Sequence, residues 1–129
     1  MENIRDYKPQ SRMKVITRYI DAIKQNAEYY LGENAQDNFD IIDQSEPDDI
    51  WFHMNNISSC HVVVKLPLNN KYDKKQIHKI IVQGAEICKQ HSRLKSQKDV
   101  EITYTKIKNV NKTHIVGSVA LIEFKSIRI

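Results

Sequence analysis

Two short runs hold most of the side chains that could do chemistry. Asp48-Asp49-Ile50-Trp51-Phe52-His53 is followed by Ser58-Ser59-Cys60-His61, so two imidazoles, two carboxylates, two hydroxyls and a thiol fall within fourteen positions. A hydrolase needs a nucleophile, a base and an orienting acid in hydrogen-bond reach, and His53 or His61 with Asp49 is the set on offer. No G-x-S-x-G elbow presents Ser58 or Ser59, which sit in a plain loop. Histidines that satisfy loop backbone, or line a partner surface, are the stronger reading. Zinc needs four ligands in paired spacings, and no C-x-x-C or H-x-x-x-H pair completes His53, Cys60 and His61. The histidines His78 and His91 flank a Cys88 that belongs to an apolar face. No metal is expected. Three glycines, Gly32, Gly84 and Gly117, build neither a P-loop nor a dinucleotide fingerprint, so no nucleotide cofactor is expected either.

What remains is charge. The chain of 129 residues carries a net +4, but residues 1–64 sum to −5 and residues 65–129 to +9. Glu28 to Asp49 holds eight acids and no base, whereas Lys65 to Lys98 holds nine bases and two acids. Such polarity suits an anionic partner, with nucleic acid foremost, provided the bases gather into one continuous surface. Candidate phosphate contacts are Lys65, Lys71, Lys74, Lys75, Lys79, Lys89, Arg93, Lys95, Lys98, Lys106, Lys108 and Lys112. Trp51 is the candidate for stacking on a base, although a single Trp on a strand usually belongs to a core. The alternatives are a lysine-rich solvated surface, or an acidic segment (residues 28–49) that docks on a basic protein.

The elements that must position these groups make an α+β domain over residues 11–129, behind a polar tail at 1–10. The fold expected is a mixed, mainly antiparallel sheet with one long helix over 73–91 and a short helix over 35–44. Asp73 caps the long helix, which turns Ile77, Ile80, Ile81, Gly84, Ile87 and Cys88 to one face. Ile50–Met54 and His61–Leu66 read as strands, the second ended by Pro67. Val100–Val110 alternates as a half-buried strand, and Gly117 opens a last hairpin of 119–124 and 127–129 with its turn near Lys125-Ser126. Met13, Ile16, Ile20, Ile23, Ala27 and Tyr30 fit a helix behind Ser11, yet the β-branched and aromatic residues among them suit two strands. No apolar run is long enough to span a bilayer, and no signal sequence opens the chain; a reduced, cytoplasmic setting is expected for two cysteines.

The central pattern resembles the NFACT-R domain, the RNA-binding module of the NFACT family of ribosome quality-control factors. The residues that carry the resemblance are Gly32-Glu33-Asn34-Ala35, Asn38, Asp49-Ile50-Trp51-Phe52-His53 and Ser58-Ser59-Cys60-His61-Val62-Val63. Softer matches are Gly84-Ala85-Glu86, Arg93, Lys95, Tyr104-Thr105 and Lys108-Asn109-Val110. The resemblance implies a β-hairpin over 13–31, turning near Gln25-Asn26, in place of the helix. The Ser-Ser-x-His form is closer to small stand-alone eukaryotic members, and neither their coiled coil nor the further domains of full-length factors are seen. Ile, Lys and Asn usage fits an AT-rich genome, such as that of a protist or a large DNA virus.

Together these readings make the chain a non-enzymatic module that binds structured RNA, tRNA or rRNA, in a translation or ribosome quality-control setting. Phosphate contacts alone leave DNA open. His53 and His61 would be cationic below about pH 6.5 if solvated, or neutral hydrogen-bonders that fix the Ser58-Ser59 loop. The sheet edge at Ile127–Ile129 is a place where a second copy could pair.

Overall fold

The computed structural model describes residues 13–55, 57–66 and 71–129. Alternation defeats helical periodicity at the start of the chain. β1 (Lys14–Ile20) and β2 (Gln25–Gly32) form an antiparallel hairpin in register from Lys14–Leu31 to Ile20–Gln25. A spacing of four keeps residues on one face of a strand as well as of a helix, so Ile16 and Ile20 satisfied both patterns. The reversal lies at Asp21–Lys24, earlier than Gln25-Asn26. Asp21–Ile23 make one 3-10 turn, and Lys24, in the left-handed region at φ 56°, returns its N–H to the Asp21 carbonyl.

α1 (Ala35–Asp43) follows, capped by Asn34, whose side chain accepts the Asp37 N–H. Next come β3 (Ile50–Met54), β4 (His61–Lys65) and α2 (Lys74–Gln90). α2 starts with a reciprocal capping box between Asp73 and Gln76. The strand expected over Val100–Val110 is broken into β5 (Glu101–Lys106), a 3-10 turn at Ile107–Asn109, and β6 (Val110–Lys112). β7 (Val119–Leu121) pairs with β6, while β8 (Lys125–Arg128) pairs with β5. The expected last hairpin is therefore absent: Lys125-Ser126 is strand, and the two segments join different sheets.

The main sheet runs β1-β2-β4-β3-β5-β8, antiparallel at every pairing rather than mixed. Its two faces are covered differently. α2 lies on one, where Ile80, Ala85, Ile87 and Cys88 meet Tyr29, Leu31, Phe52, Met54, Val62, Val64 and Ile102. α1 and the β6–β7 hairpin cover part of the other, around Trp51, Val63, Ile41 and Val110. The sheet's central strands are thus buried on both sides, and Thr103 and Thr105 of β5, expected to face solvent, are buried too. Their hydroxyls are satisfied by Asn55 Oδ1 and the Glu123 carbonyl. Both sheet edges, β1 and β8, are open among the described residues. Among them no helix is long and apolar enough to cross a membrane.

Gly84 sets how closely α2 approaches the sheet. A Cβ there would overlap the ring carbons of Phe52, which is completely buried. Helix propensity favours alanine over glycine by about 1 kcal/mol, but overpacking a tight core costs about 1–3 kcal/mol. Gly84→Ala should therefore lower the unfolding free energy in urea titrations; a stabilised variant would show that the helix rests on the ring more loosely.

Candidate nucleic-acid interface

The sheet face opposite α2 is left partly uncovered at the ends of β3 and β4, and the histidines lie there. Alternation places Trp51 and His53 of β3 and His61 of β4 on this face. Trp51 is buried in the second core, 2% exposed, so it cannot stack on a ligand base, and the expectation that it might is corrected. Its indole N–H instead donates to His61 Nδ1 at 3.1 Å. The His53 ring stacks on Trp51 with centroids 5.6 Å apart and meets His61 edge-on at 5.0 Å.

The glycine and asparagines of the motif hold α1 onto this junction. Asn38 Oδ1 accepts the backbone N–H of His61 at 3.2 Å. Gly32 is paired opposite His61, and a side chain on it would overlap Asn38 Oδ1. Asn34 caps the helix that carries Asn38. Ser59 Oγ accepts the Met54 N–H and donates to the Cys60 carbonyl, which closes the β3–β4 connection. Ser58 is exposed. Cys60 and the buried Cys88 of α2 are free thiols that interact with each other; the interaction holds Cys60 below the usual thiol range and, with burial, pushes Cys88 above it.

Asp49 is at the other end of β3 and does not join the histidines. Its carboxylate accepts the N–H groups of Glu46 at 2.8 Å and Leu66 at 3.1 Å, pinning the acidic turn to the end of β4. With Nδ1 of His61 occupied by Trp51 and Ser59 Oγ tied to backbone, the hydrolase arrangement weighed from the sequence is not assembled. Among the described residues, no three His, Cys, Asp or Glu side chains converge on a metal site.

Around the junction runs a cleft in two adjoining chambers of about 390 and 500 Å³. His53, Ser58, His61, Gly117 and Ser118 line both. The first chamber reaches Asn34 at the start of α1, and the second reaches Phe124 before β8. Gly117, at φ 86°, brings the β6–β7 connection against Ala35 of α1. Phe124 and Val116 were missed as site residues. They are exposed apolar side chains, and only their position beside the cleft distinguishes them from ordinary core formers.

The basic side chains do not gather into one surface. Lys106 and Lys108 reach Asp48 at 3.5 and 4.0 Å, and Lys112 pairs with Asp43. Lys65 bonds the Gln44 carbonyl and lies 5.2 Å from the Tyr30 ring centroid. These four sit against the acidic segment, two of whose carboxylates (Asp37 and Asp49) are buried; that segment is not a free acidic face. Lys89 is tied to the Ile129 backbone oxygen. The other group follows α2. Lys71, Lys74, Lys75 and Lys79 are exposed at its N-terminal end, and Arg93, Lys95 and Lys98 in the loop after it. Among the described residues none of these seven has an ion-pair partner.

An α+β domain built on a satisfied Trp–His–Asn junction, with exposed bases at the two ends of one helix, is what these elements define. The family model described as the NFACT protein RNA-binding domain matches residues 17–121, and the chain belongs to that family. Coiled-coil domain-containing protein 25 of Danio rerio is 31% identical over 86 residues, covering 65% of this chain and 41% of the relative. The Dictyostelium discoideum homolog of that protein is 32% identical over 85 residues, covering 65% and 41%. The chain thus spans about two fifths of the length of the curated relatives it matches. Among solved structures, the C-terminal part of the fibronectin/fibrinogen-binding protein from Streptococcus suis has the same fold, with a TM-score of 0.74 at 18% identity. That likeness covers 95% of this chain and 46% of the other.

The junction fixes the protonation of its imidazoles. Burial, then the neighbouring His53 ring, pushes His61 down to about 3 from an ordinary 6.5, and burial lowers His53 as well. Between those two values the unfolded chain binds a proton at His61 that the folded chain does not. The stability His61 contributes is therefore complete above pH 6.5 and falls by about 1.4 kcal/mol per pH unit as pH drops below it. Nitrogen-resolved NMR should show His61 neutral, with its proton on Nε2, from pH 7.5 down to 5. A ring that titrates near pH 6.5 would contradict the buried Trp51 bond.

Proposed function

We propose that this domain is a non-enzymatic module that binds structured RNA, tRNA or rRNA, in the cytoplasm, in a translation or ribosome quality-control setting. The observation that carries the reading is two groups of exposed cations without ion pairs among the described residues, one at each end of α2: Lys71, Lys74, Lys75 and Lys79 at its start, Arg93, Lys95 and Lys98 in the loop after it. α2 has no acidic residue in its first turn, where the helix dipole would favour one. Lysines placed there against the dipole serve a polyanion better than they serve the helix. The motif residues Gly32, Asn34, Asn38, Trp51 and His61 act on the fold that presents these cations. Membership of the RNA-binding domain family supports RNA over other polyanions.

Phosphate contacts release counterions, so affinity should fall steeply with salt. Changing Lys74, Lys75 and Lys79 together to Glu should weaken binding about tenfold or more across RNA sequences, and flatten the salt slope by roughly three. Fluorescence anisotropy against a tRNA, an rRNA hairpin and a DNA duplex of equal length checks this. Unchanged affinity would remove Lys74, Lys75 and Lys79 from the interface, and preference for the duplex would replace RNA with DNA.

A further inference from the structure

The cleft on the opposite side of the sheet carries none of the phosphate-binding character of α2. Among the described residues no Lys or Arg lines either chamber, and Glu33 is the one charged residue among them at its border. Its polar groups are neutral and fixed. His61 is 2% exposed, and because Nδ1 accepts the Trp51 N–H, its ring proton sits on Nε2. No described residue accepts from Nε2, and no buried polar atom of the described residues is left without a partner, so this donor opens on the cleft. Asn34 spends its side-chain oxygen on the Asp37 N–H, which leaves its amide protons for the first chamber. Ser58 adds an exposed hydroxyl. Phe124, 56% exposed, supplies a large aromatic surface at the border of the second chamber.

Directed neutral donors beside an exposed aromatic ring recognise a flat heteroaromatic group with acceptors on its edge. A phosphate would find no cation here. Resting on the RNA reading above, we infer that the cleft takes one unstacked nucleobase of the bound RNA, which packs on Phe124 and accepts from His61 Nε2. The route to it is short. The loop with Arg93, Lys95 and Lys98 leads into β5, where the Glu101 carbonyl accepts the N–H of Asn55, a residue that lines the cleft. A backbone held by that loop passes the rim of the sheet at the cleft.

The test uses the full chain and two forms of one RNA hairpin with a single-stranded loop, one intact and one with abasic riboses throughout the loop. Affinities come from anisotropy. Phe124→Ala, at an exposed position outside both cores, should weaken the intact hairpin about 5- to 100-fold and leave the abasic form unchanged. Equal effects on both forms, or none on either, would overturn the nucleobase site. The triple variant Arg93→Glu, Lys95→Glu, Lys98→Glu separates that failure from failure of RNA binding itself. If it weakens both forms while Phe124→Ala does nothing, the RNA reading stands and the cleft site falls. If neither variant weakens either form, both fall.

Discussion

A single buried polar atom organises this domain. His61 Nδ1 lies in a core where an unpaired nitrogen would cost on the order of 1–3 kcal/mol, and the Trp51 indole N–H removes that penalty. The bond requires β3 and β4 to hold one register, because a one-residue slip of either strand would turn its own ring to the α2 side and leave the other ring without its partner. The same histidine's backbone N–H recruits Asn38, and with it α1, whose approach is possible only over a glycine at position 32. Strand register, helix placement and the floor of the cleft are one constraint seen from three sides. Chemistry at His61 is thereby given up: a ring locked as a neutral acceptor at Nδ1 is a poor general base.

Electrostatics divide the molecule along a line the linear charge count conceals. The excess of base in the second half is partly spent inside the fold, where Lys106, Lys108 and Lys112 answer Asp48 and Asp43. Exposed pairs of this kind contribute little to stability, about 0–1 kcal/mol each. Their effect on the surface field is larger, since they quench the acidic segment and leave α2 and its following loop as the cationic side. Sequence halves of opposite sign had suggested a face for an anionic partner; pairing across the halves takes Lys106, Lys108 and Lys112 out of that face and leaves the exposed cations at the two ends of α2.

How much of this was legible depended on whether local pattern and tertiary context agreed. α2 was readable because its apolar spacing, its Asp73 cap and its length all point the same way. β3, β4 and the short helix behind Asn34 were readable for similar reasons. The first hairpin was not readable from periodicity, since Ile16 and Ile20 lie on one face in either conformation, and the motif resemblance had to decide it. The last fifth of the chain was misread for a different reason. Ile122 and Phe124 look like core residues of a strand, but both are exposed, and Thr105, which looks solvent-facing, is covered by the segment that carries them. Alternation shows which side of a strand a residue takes; it says nothing about what lies over that side. The Trp51–His61 bond was invisible for the same reason, although both residues had been singled out.

The far end of the chain is woven into the sheet rather than trailing from it. Ile129 exchanges two backbone hydrogen bonds with Val100, and its oxygen also receives the Lys89 ammonium. Any polypeptide attached after Ile129 would depart from the rim beside Val100, already aligned with the axis of β8. A tether leaving at that point would have its exit direction set by the β-ladder.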